Sequence, residues 1–337
     1  MQSKKADMSL SSPRHAMTMA DVAKLAGVST ITVSRALSGS GVVRAETRER
    51  VREIAKQHGY KLNTTARNLR QRSTRTVAVV VEMTPSANRR MNGSYPLELL
   101  GGMIHELTAA NYSVMLSTRA SLTDTTPTAD AVVLLGQGSH EDAVAELDRF
   151  GLPLVVWGSV RNDGDHVIVG SDNVAGGCLA ADRLCSIGRR TLVCLGDIEH
   201  AEVADRFDGF TGRVAELGAT HVATRHCDFT FAGGHNAMAA LLDTHGAAID
   251  GVFASSDAVA MGAIRALTEY GRGVPDDVSV IGFDDAHDAA QFVPPLTTIR
   301  QHWHEGGSLL ARKALALVQG EAVQSELMPV EIVIRAS

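Results

Sequence analysis

The strongest constraint on the fold is an alternation of two sequence patterns that begins near Thr76. Short runs of apolar and β-branched residues cover Val77–Val81, Val114–Leu116, Ala131–Leu135, Leu154–Trp157, Val167–Val169, Leu192–Leu195, Val252–Ala254, Val278–Gly282 and Ile332–Ile334. Helical patterns cover Leu97–Ala110, Asn173–Ile187, Phe207–Leu217, Ala258–Tyr270 and Gly307–Val318. Apolar strands separated by helices are typical of parallel sheets that are buried on both faces. We expect a two-lobed α/β body, because roughly 260 residues exceed a single compact core.

Ligands of such sheets bind at the carboxyl ends of the strands, so the residues that follow the strands are candidate contacts. Ser117 and Arg119 end one predicted strand, and Gly158 and Ser159 follow another. Arg119 is a candidate contact for an acidic ligand such as a sugar acid or a phosphate, and Ser159 offers a hydroxyl. The alternative for Arg119 is an ordinary surface arginine.

The charge is distributed unevenly along the chain. Residues 1–75 contain 15 Lys and Arg against 5 Asp and Glu, a net charge of +10, whereas the remainder has 17 against 33, a net charge of −16. A basic head on an acidic body indicates that the head binds a polyanion. A solvated basic tail is the alternative that charge alone leaves open.

The basic head contains a helix-turn-helix pattern. Thr18 and Asp21 form a capping box before Val22, Leu25 and Ala26, which recur at helical spacing until Gly27 ends the helix. Ser29 is a new N-cap, and a second helix over Thr30–Leu37 follows directly. Two short helices joined by a glycine-containing turn are typical of this motif. A third helix is predicted from about Ala45 to His58, with Val51, Ile54 and Ala55 inside and Gly59 at its end.

The second helix of this motif lies in the major groove, and its first residues reach the base edges. Here those residues are Thr30 and Ile31, with Arg35 one turn later. Arg35 can bind guanine or a phosphate, while Ile31 can contact a thymine methyl. Hydroxyl groups that can bind phosphates belong to Thr18, Ser29, Thr32 and Ser34. The alternative for the hydroxyls is that they cap helices or lie on the surface without binding DNA. The alternative for Arg35 is an ordinary solvated arginine.

Residues 19–37, together with 46–51 and 58–60, resemble the headpiece of LacI/GalR-family transcription regulators. The resemblance implies a small all-α helix-turn-helix DNA-binding domain at 18–62 and a hinge helix with its linker at 63–75. It implies a periplasmic-binding-protein-like effector-binding and dimerisation domain with parallel sheets at 76–337. We expect the first lobe at about 76–172 and 301–325, the second at about 173–300 and 326–337, and a disordered tail at 1–17.

The segment Asn63–Leu69 resembles the hinge helix of the family. It is too short to be stable alone, because isolated helices below roughly 12–15 residues are marginal in water. The resemblance implies that Leu69 wedges between base steps in the minor groove and kinks the duplex. We expect Asn63, Arg67 and Arg70 to contact DNA beside it. A plain basic linker is the alternative.

The resemblance extends into the body and is good from Val167 to Gln301. It implies effector contacts by Arg206, Ser256 and Asp284, and aromatic packing on the effector by Phe229 and Trp303. A carboxylate, an arginine and an aromatic face together suit a polyol. Ser256 departs from the Asn or Asp that is frequent at its position, and Gly158 stands where some members have Asp. A structural salt bridge is the alternative role for Arg206 and Asp284, and bracing of the turn is the favoured role for Asp285.

Several function classes have no support in the sequence. The four cysteines form no C-x-x-C pair, His302 and His304 have no third ligand at metal-site spacing, and the phosphate-loop and nucleophile-elbow motifs are absent. No apolar stretch reaches the roughly 18 residues of a membrane span, and no apolar segment follows Lys4 and Lys5. We therefore expect a cytoplasmic protein without catalysis, metal, cofactor or membrane partner.

Together these features predict a homodimeric repressor that binds near-palindromic double-stranded operator DNA. Its effector is expected to be carbohydrate-like: a sugar, a sugar acid or a sugar phosphate. A dimer is favoured over a tetramer, because no leucine heptad follows the last predicted strand. A solute-binding receptor with the same body, and a sugar-acid enzyme with a similar head, are the alternatives.

Overall fold

The computed structural model describes residues 17–38, 41–60, 73–82, 94–119, 128–137, 142–160 and 166–337. The chain divides into two compact units, Met1–Arg72 and Ser73–Ser337. The hinge residues Asn63, Arg67, Leu69 and Arg70, and the expected tail except Met17, lie outside the described residues. The expectations for them stay predictions.

The first unit contains three described helices, α1 (Met19–Ala26), α2 (Thr30–Leu37) and α3 (Ala45–Gln57). Thr18 and Asp21 form the predicted capping box, and Gly27 ends α1 in the left-handed conformation with φ of 62°. Ser29 caps α2 through the backbone N–H of Thr32, whereas Arg44 makes no side-chain cap at α3. The predicted helices are therefore confirmed to within one residue.

The three helices pack around a small apolar core. Val22, Val33 and Val51 are fully buried, and Ala26 and Ala55 are nearly so. Leu25 shares the helical spacing of Val22 and Ala26, but its side chain is 53% exposed and does not belong to this core.

The first lobe of the body is built on a sheet of six described strands. They are β1 (Thr76–Val81), β2 (Ser113–Thr118), β3 (Ala131–Leu135), β4 (Leu154–Trp157), β5 (Val167–Ser171) and β11 (Glu326–Met328). Their order is β11-β5-β4-β3-β1-β2, and every neighbouring pair is parallel. The helices are α4 (Ser94–Ala109), α5 (Asp142–Asp148) and α10 (Trp303–Val318). Apolar clusters lie on both faces of this sheet, as the continuous apolar runs predicted.

The second lobe repeats this architecture. Its described strands are β6 (Thr191–Leu195), β7 (Thr220–Arg225), β8 (Gly251–Ala254), β9 (Ser279–Asp284), β10 (Thr297–Arg300) and β12 (Glu331–Val333). Their order is β12-β10-β9-β8-β6-β7, and β12 is antiparallel to β10. The helices are α6 (Asn173–Ser186), α7 (Ala201–Glu216), α8 (Phe231–His245) and α9 (Asp257–Glu269). No described helix has the length and apolar character needed to span a membrane.

The chain passes between the lobes at three described points. It leaves the first sheet after β5, returns after β10, and leaves again between β11 and β12. Strand β11 pairs with β5 in the first lobe. The expectation that 326–337 belongs to the second lobe is therefore wrong for Glu326–Met328, because three residues are too few to give a strand signal.

Three helix pairs pack through reciprocal glycines. A methyl group built on Gly177 of α6 would lie 2.0 Å from the carbonyl oxygen of Arg206 on α7. One built on Gly209 of α7 would lie 2.1 Å from the carbonyl oxygen of Val174. The same reciprocity joins α4 to α10 and α8 to α9. Glycine is required at these positions because the backbones touch, and the α6–α7 contact fixes the helix that carries Arg206.

Candidate nucleic-acid interface and ligand cleft

The exposed side of α2 carries the residues predicted to contact DNA. Thr30, Ile31 and Arg35 are exposed, and 61% of the Ile31 side chain is accessible. An isoleucine that is this exposed in so small a unit leaves apolar surface available for a partner. Val33 and Ala36 occupy the opposite side of α2 and are fully buried. Helix α2 therefore has one face in the core and one face exposed.

Hydroxyl groups at the starts of the helices already have partners. The Ser29 Oγ accepts from the backbone N–H of Thr32 at 3.2 Å and lies 2.9 Å from the Thr32 Oγ1. The Thr18 hydroxyl donates to the Asp21 carboxylate at 2.6 Å. Capping, which was the alternative role for these hydroxyls, is thus present. Ser34 is half-buried on α2. Phosphate binding by these four residues stays a prediction.

In the body, Arg206 occupies the junction of several second-lobe elements. Its Nε donates to the Asn173 Oδ1 at 2.8 Å, and its Nη1 donates to the Ser255 carbonyl oxygen at 2.5 Å. The guanidinium carbon lies 3.8 Å from the centroid of the Phe283 ring. Burial lowers the pKa of Arg206, and the carboxylates of Asp284 and Glu202 oppose that shift. The guanidinium is therefore held in one place, and its charge faces several acidic side chains.

Asp284 ends strand β9 beside this arginine in a strained conformation. Its φ of 125° lies in the left-handed half of backbone space, which is rare for a residue other than glycine. The Gln301 Nε2 donates to its Oδ1 at 2.8 Å. Loss of solvent raises the pKa of Asp284 to about 7, against the lowering effect of Arg206. Strain and a perturbed pKa together are typical of functional positions.

Asp257, at the start of α9, is a second buried carboxyl next to Asp284. It is fully buried and accepts a hydrogen bond from the Thr298 hydroxyl at 2.5 Å and another from the Ala286 N–H at 2.7 Å. Desolvation and the charge of Asp284 raise its pKa. The next residue, Asp285, pairs with Arg300 and Arg335, and hydrogen bonds from both arginines lower its pKa.

Helix α7 also contacts the first lobe. The Ser159 hydroxyl hydrogen-bonds the Asp205 carboxylate, and the Ser159 backbone N–H donates to the Gln137 Oε1 at 2.9 Å. Burial raises the pKa of Glu202, and the nearby backbone of Gln137 opposes that rise. Gln137 follows β3 and Ser159 follows β4, so the carboxyl ends of first-lobe strands meet α7 at this place. These contacts define a cleft between the lobes.

Aromatic side chains border the cleft. Trp303 is 5% exposed and meets Tyr95 edge to face with ring centroids 5.8 Å apart. Tyr95 lies near enough to Arg206 to influence its charge. Phe229 meets His200 edge to face at 5.1 Å, next to the start of α7. Within the described part of the chain, the Trp303 Nε1 and the Ser255 Oγ are buried without a hydrogen-bond partner.

Two predicted contacts have other partners in the structure. The Ser256 side chain accepts from the backbone N–H of Val259 and caps α9. Arg119 pairs with Glu82 and Glu146 at 3.0 Å each, and these carboxylates raise its pKa. An acidic ligand would have to compete with both carboxylates for this guanidinium. Effector contact by either residue stays a prediction.

Sequence reasoning overlooked several residues that the fold brings to the cleft. They are Tyr95, Gln137, Asn173, Glu202, Asp205, Ser255 and Gln301. Asp205 precedes Arg206, and Gln301 ends the stretch that resembles the family, so the sequence alone could have suggested both residues. Gln137 follows a predicted strand, but its role depends on Gly158, where a methyl group would lie 2.5 Å from the Gln137 side chain.

Comparisons with known proteins agree with this arrangement. Residues 18–63 match the family described as bacterial regulatory proteins, lacI family, and residues 181–337 match a periplasmic binding protein-like domain. The chain is 32% identical to the HTH-type transcriptional regulator CelR of Thermobifida fusca, covering 95% of this chain and 96% of that protein. It is 33% identical to the HTH-type transcriptional repressor CytR of Escherichia coli K12, covering 96% of each.

Solved structures show the same fold. A lac repressor dimer bound to operator and the anti-inducer ONPF matches with a TM-score of 0.82 at 23% identity, over 96% of this chain and 99% of that one. A complex of the transcriptional regulator CelR with cellobiose matches with a TM-score of 0.70 at 29% identity, over 95% and 99%. With a regulator-type headpiece, a two-lobed body and relatives matched over nearly their whole length, this chain belongs to the lacI family of bacterial regulatory proteins.

Proposed function

We propose that this protein is a homodimeric transcriptional repressor whose affinity for operator DNA is set by a small carbohydrate-like effector in the cleft. It acts by binding, without a catalytic step, in the compartment that holds the chromosomal DNA. The observation that carries the proposal is the exposed face of α2, with Ile31 and Arg35, on a compact helix-turn-helix unit of regulator type.

The free face of α2 suits the major groove. Arg35 can form a bidentate contact with guanine, and Ile31 can pack on a thymine methyl. Asn63, Arg67, Leu69 and Arg70 are proposed to add minor-groove and phosphate contacts from the hinge. Because two such heads are related by a two-fold axis, the operator is proposed to be near-palindromic.

The cleft suits a polyol. Arg206 offers donors in fixed directions, Asp284 offers acceptors, and Trp303 and Tyr95 offer apolar ring surface. The name of one relative's structure gives cellobiose as its ligand, and another related structure contains ribose. These names support a sugar-like ligand here. An effector changes DNA affinity only through its different affinities for two lobe arrangements.

Dimer formation is proposed to use one end of the first-lobe sheet. Leu97 and Ile104 of α4 are 52% and 49% exposed, and they lie two turns apart on one helix face. Leu116 on the edge strand β2 is 52% exposed. Exposed large apolar side chains on an edge strand and on the adjoining helix are typical of an interface.

The DNA-binding part of the proposal is tested by gel shift with the full-length protein and a mixture of genomic fragments. We expect a subset of fragments to bind with strong salt dependence. Equal retention of all fragments, or none, would refute sequence-specific repression.

The effector part is tested by a thermal-shift screen of sugars and nucleosides. A ligand that binds only the folded body raises its melting temperature. A positive compound is then added to the gel shift, where it must change operator affinity. A bound sugar that leaves operator affinity unchanged would contradict the proposed control.

A further inference from the structure

The carboxylate of Asp130 holds the start of the body in place. Ser73 is the first residue of the second unit, and β1 begins at Thr76. The Asp130 Oδ2 accepts hydrogen bonds from the Ser73 hydroxyl at 2.5 Å and from the Arg75 backbone N–H at 3.0 Å. The Oδ1 accepts from the backbone N–H and from the hydroxyl of Thr74, at 2.5 and 2.8 Å. One side chain therefore binds all three residues that precede the sheet.

Asp130 is itself fixed, and the backbone that it holds is strained. The Asp130 backbone N–H donates to the Thr76 carbonyl oxygen at 2.8 Å. Arg75 has a φ of 53°, a left-handed conformation that is rare for residues other than glycine. Its carbonyl oxygen accepts from the Ser113 N–H at 2.8 Å, and its guanidinium carbon lies 5.1 Å from the centroid of the Tyr112 ring. Such strain persists only where several contacts impose it, and it is typical of functional positions.

The hydrogen bonds also determine the charge of Asp130. Burial alone would raise its pKa, but the hydrogen bonds from Ser73, Thr74 and Arg75 together lower the pKa below its ordinary value. The carboxylate is therefore ionised at neutral pH, and both of its oxygens act only as acceptors. Because each oxygen faces two donors, an asparagine of the same shape would turn its NH2 group toward donors.

The second lobe contains the same arrangement at a place that does not receive the head. Asp250 precedes β8 as Asp130 precedes β3, and its carboxylate accepts from the backbone N–H groups of Arg190 at 2.9 Å and Thr191 at 2.8 Å. The Asp250 N–H donates to the Thr191 carbonyl oxygen at 3.1 Å. The residues held there join α6 to β6 inside the lobe, whereas those held by Asp130 follow directly on the first unit. The two aspartates therefore allow support of a sheet to be tested separately from placement of the head.

We propose that Asp130 is a positioning residue for operator binding, because it fixes the point at which the chain from the head enters the body. The inference rests on the proposed function as a dimeric DNA-binding regulator. Without these hydrogen bonds, Ser73 and Thr74 would be free to move in each chain, and binding by both heads at once would have to order them. Ordering the backbone of one residue lowers a binding constant roughly 5- to 30-fold. A single half-site engages only one head and does not require this ordering.

The test compares a full operator, obtained by selection from random DNA, with a short duplex that contains one half-site. Both are titrated with full-length protein by fluorescence anisotropy, and the ratio of the two affinities measures how well the two heads bind together. We expect Asp130→Asn to lower this ratio about tenfold and to leave half-site affinity unchanged. Asp250→Asn is the matched control and should keep the wild-type ratio, even where it lowers the melting temperature equally. Sedimentation confirms that both variants are dimers.

An unchanged ratio in Asp130→Asn, or an equal fall in Asp250→Asn, would overturn the inference. If Asp130→Asn does not fold, Ser73→Ala decides the question, because it removes one of the four hydrogen bonds and should lower the ratio about threefold. An unchanged ratio in that variant would overturn the inference as well. If the wild type binds the full operator no more tightly than the half-site, dimeric operator binding itself is contradicted and the inference falls with it. The wild-type ratio therefore distinguishes the two failures.

Discussion

At the residue scale, two adjacent aspartates show how position separates identical side chains. Asp284 and Asp285 both have positive φ angles, of 125° and 56°. Asp285 is paired with Arg300 and Arg335, whereas Asp284 meets Gln301 and the cleft. The sequence placed both after a strand and favoured a bracing role for Asp285, which its two ion pairs support. It held no sign of the partners, because Arg300 and Arg335 are distant in sequence.

Asp284 makes the stability of the body depend on pH. Its carboxyl keeps a proton up to about pH 7 in the folded state but only up to about pH 4 in the unfolded chain. Its contribution to the free energy of unfolding is therefore full below about pH 4 and is lost as the pH rises to about 7. We expect Asp284→Asn to flatten the fall in stability between about pH 5 and 7, by at most about 1.4 kcal/mol per pH unit.

Urea denaturation at several pH values measures this effect. Asp288→Asn is the control, because Asp288 is exposed on the neighbouring turn. Asp285 and Asp130 have lowered pKa values and act below about pH 4, outside this window, whereas the raised pKa values of Glu202 and Asp257 should keep part of the fall in the variant. Identical pH profiles for wild type and Asp284→Asn would show that this carboxyl is ordinary.

Arg35 is the residue on which we expect base recognition to depend most. Replacing it by alanine removes the guanidinium from the exposed face of α2 without disturbing the buried Val33 and Ala36. We expect Arg35→Ala to weaken operator binding by about 1–3 kcal/mol and to relax base preference at one position of each half-site. Fluorescence anisotropy with operator variants measures both quantities. Arg225→Ala, at an exposed position of the body, is the control and should bind operator as the wild type does. If Arg35→Ala also binds as the wild type does, Arg35 does not contact the operator.

At the element scale, the sequence predicted buried elements well and exposed ones badly. Continuous apolar runs gave Ala131–Leu135 and Leu154–Trp157 at their observed bounds. The unpredicted strand Thr220–Arg225 lies at a sheet edge and is half-exposed. Its mixture of polar and apolar residues therefore did not indicate a buried strand. Helix α8 was missed because its first turn contains two glycines, and these serve packing rather than a break. A local sequence pattern indicates which residues are buried, whereas the tertiary fold determines which helices contact each other.

The glycine contact between α6 and α7 provides an element-scale test. Gly209→Ala would place a methyl group 2.1 Å from the Val174 carbonyl oxygen. The helices must separate, and we expect a loss of about 1–3 kcal/mol in unfolding free energy. The shift of α7 should also weaken ligand binding, because that helix carries Arg206.

Gly212 lies on the same helix with nothing within 4 Å of a built methyl group. Gly212→Ala should therefore leave stability unchanged or raise it by up to about 1 kcal/mol. Thermal denaturation of both variants makes the comparison. Equal effects of the two substitutions would show that helix propensity, and not the backbone contact, decides the outcome.

At the scale of the whole molecule, the apolar surface at the end of the first sheet is expected to join two chains. Leu116→Lys places a charge on the exposed edge strand and should shift the protein from dimer to monomer in sedimentation analysis. Ile187→Lys, at a 39% exposed position of the second lobe, is the control and should stay dimeric. A dimer that survives Leu116→Lys would place the interface elsewhere.

The organisation of the whole chain was largely readable from the sequence, and the cleft only in part. A basic head and alternating strands and helices predicted the two kinds of domain. The rule that ligands bind where strands end predicted Ser159 as a cleft residue, and the family resemblance predicted Arg206 and Asp284. Gln137, Tyr95 and Glu202 reach the same cleft only because three chain crossings bring the lobes together. Such long-range neighbours leave no local pattern to read.

Selection of binding sites from a random DNA library by the full-length protein tests whether the head recognises a specific operator. We expect enrichment of one near-palindromic sequence, with affinity that falls steeply as salt rises. We also expect Arg35→Ala to relax a single symmetric position of that sequence. Recovery of unenriched DNA, or of sequences without two-fold symmetry, would contradict it.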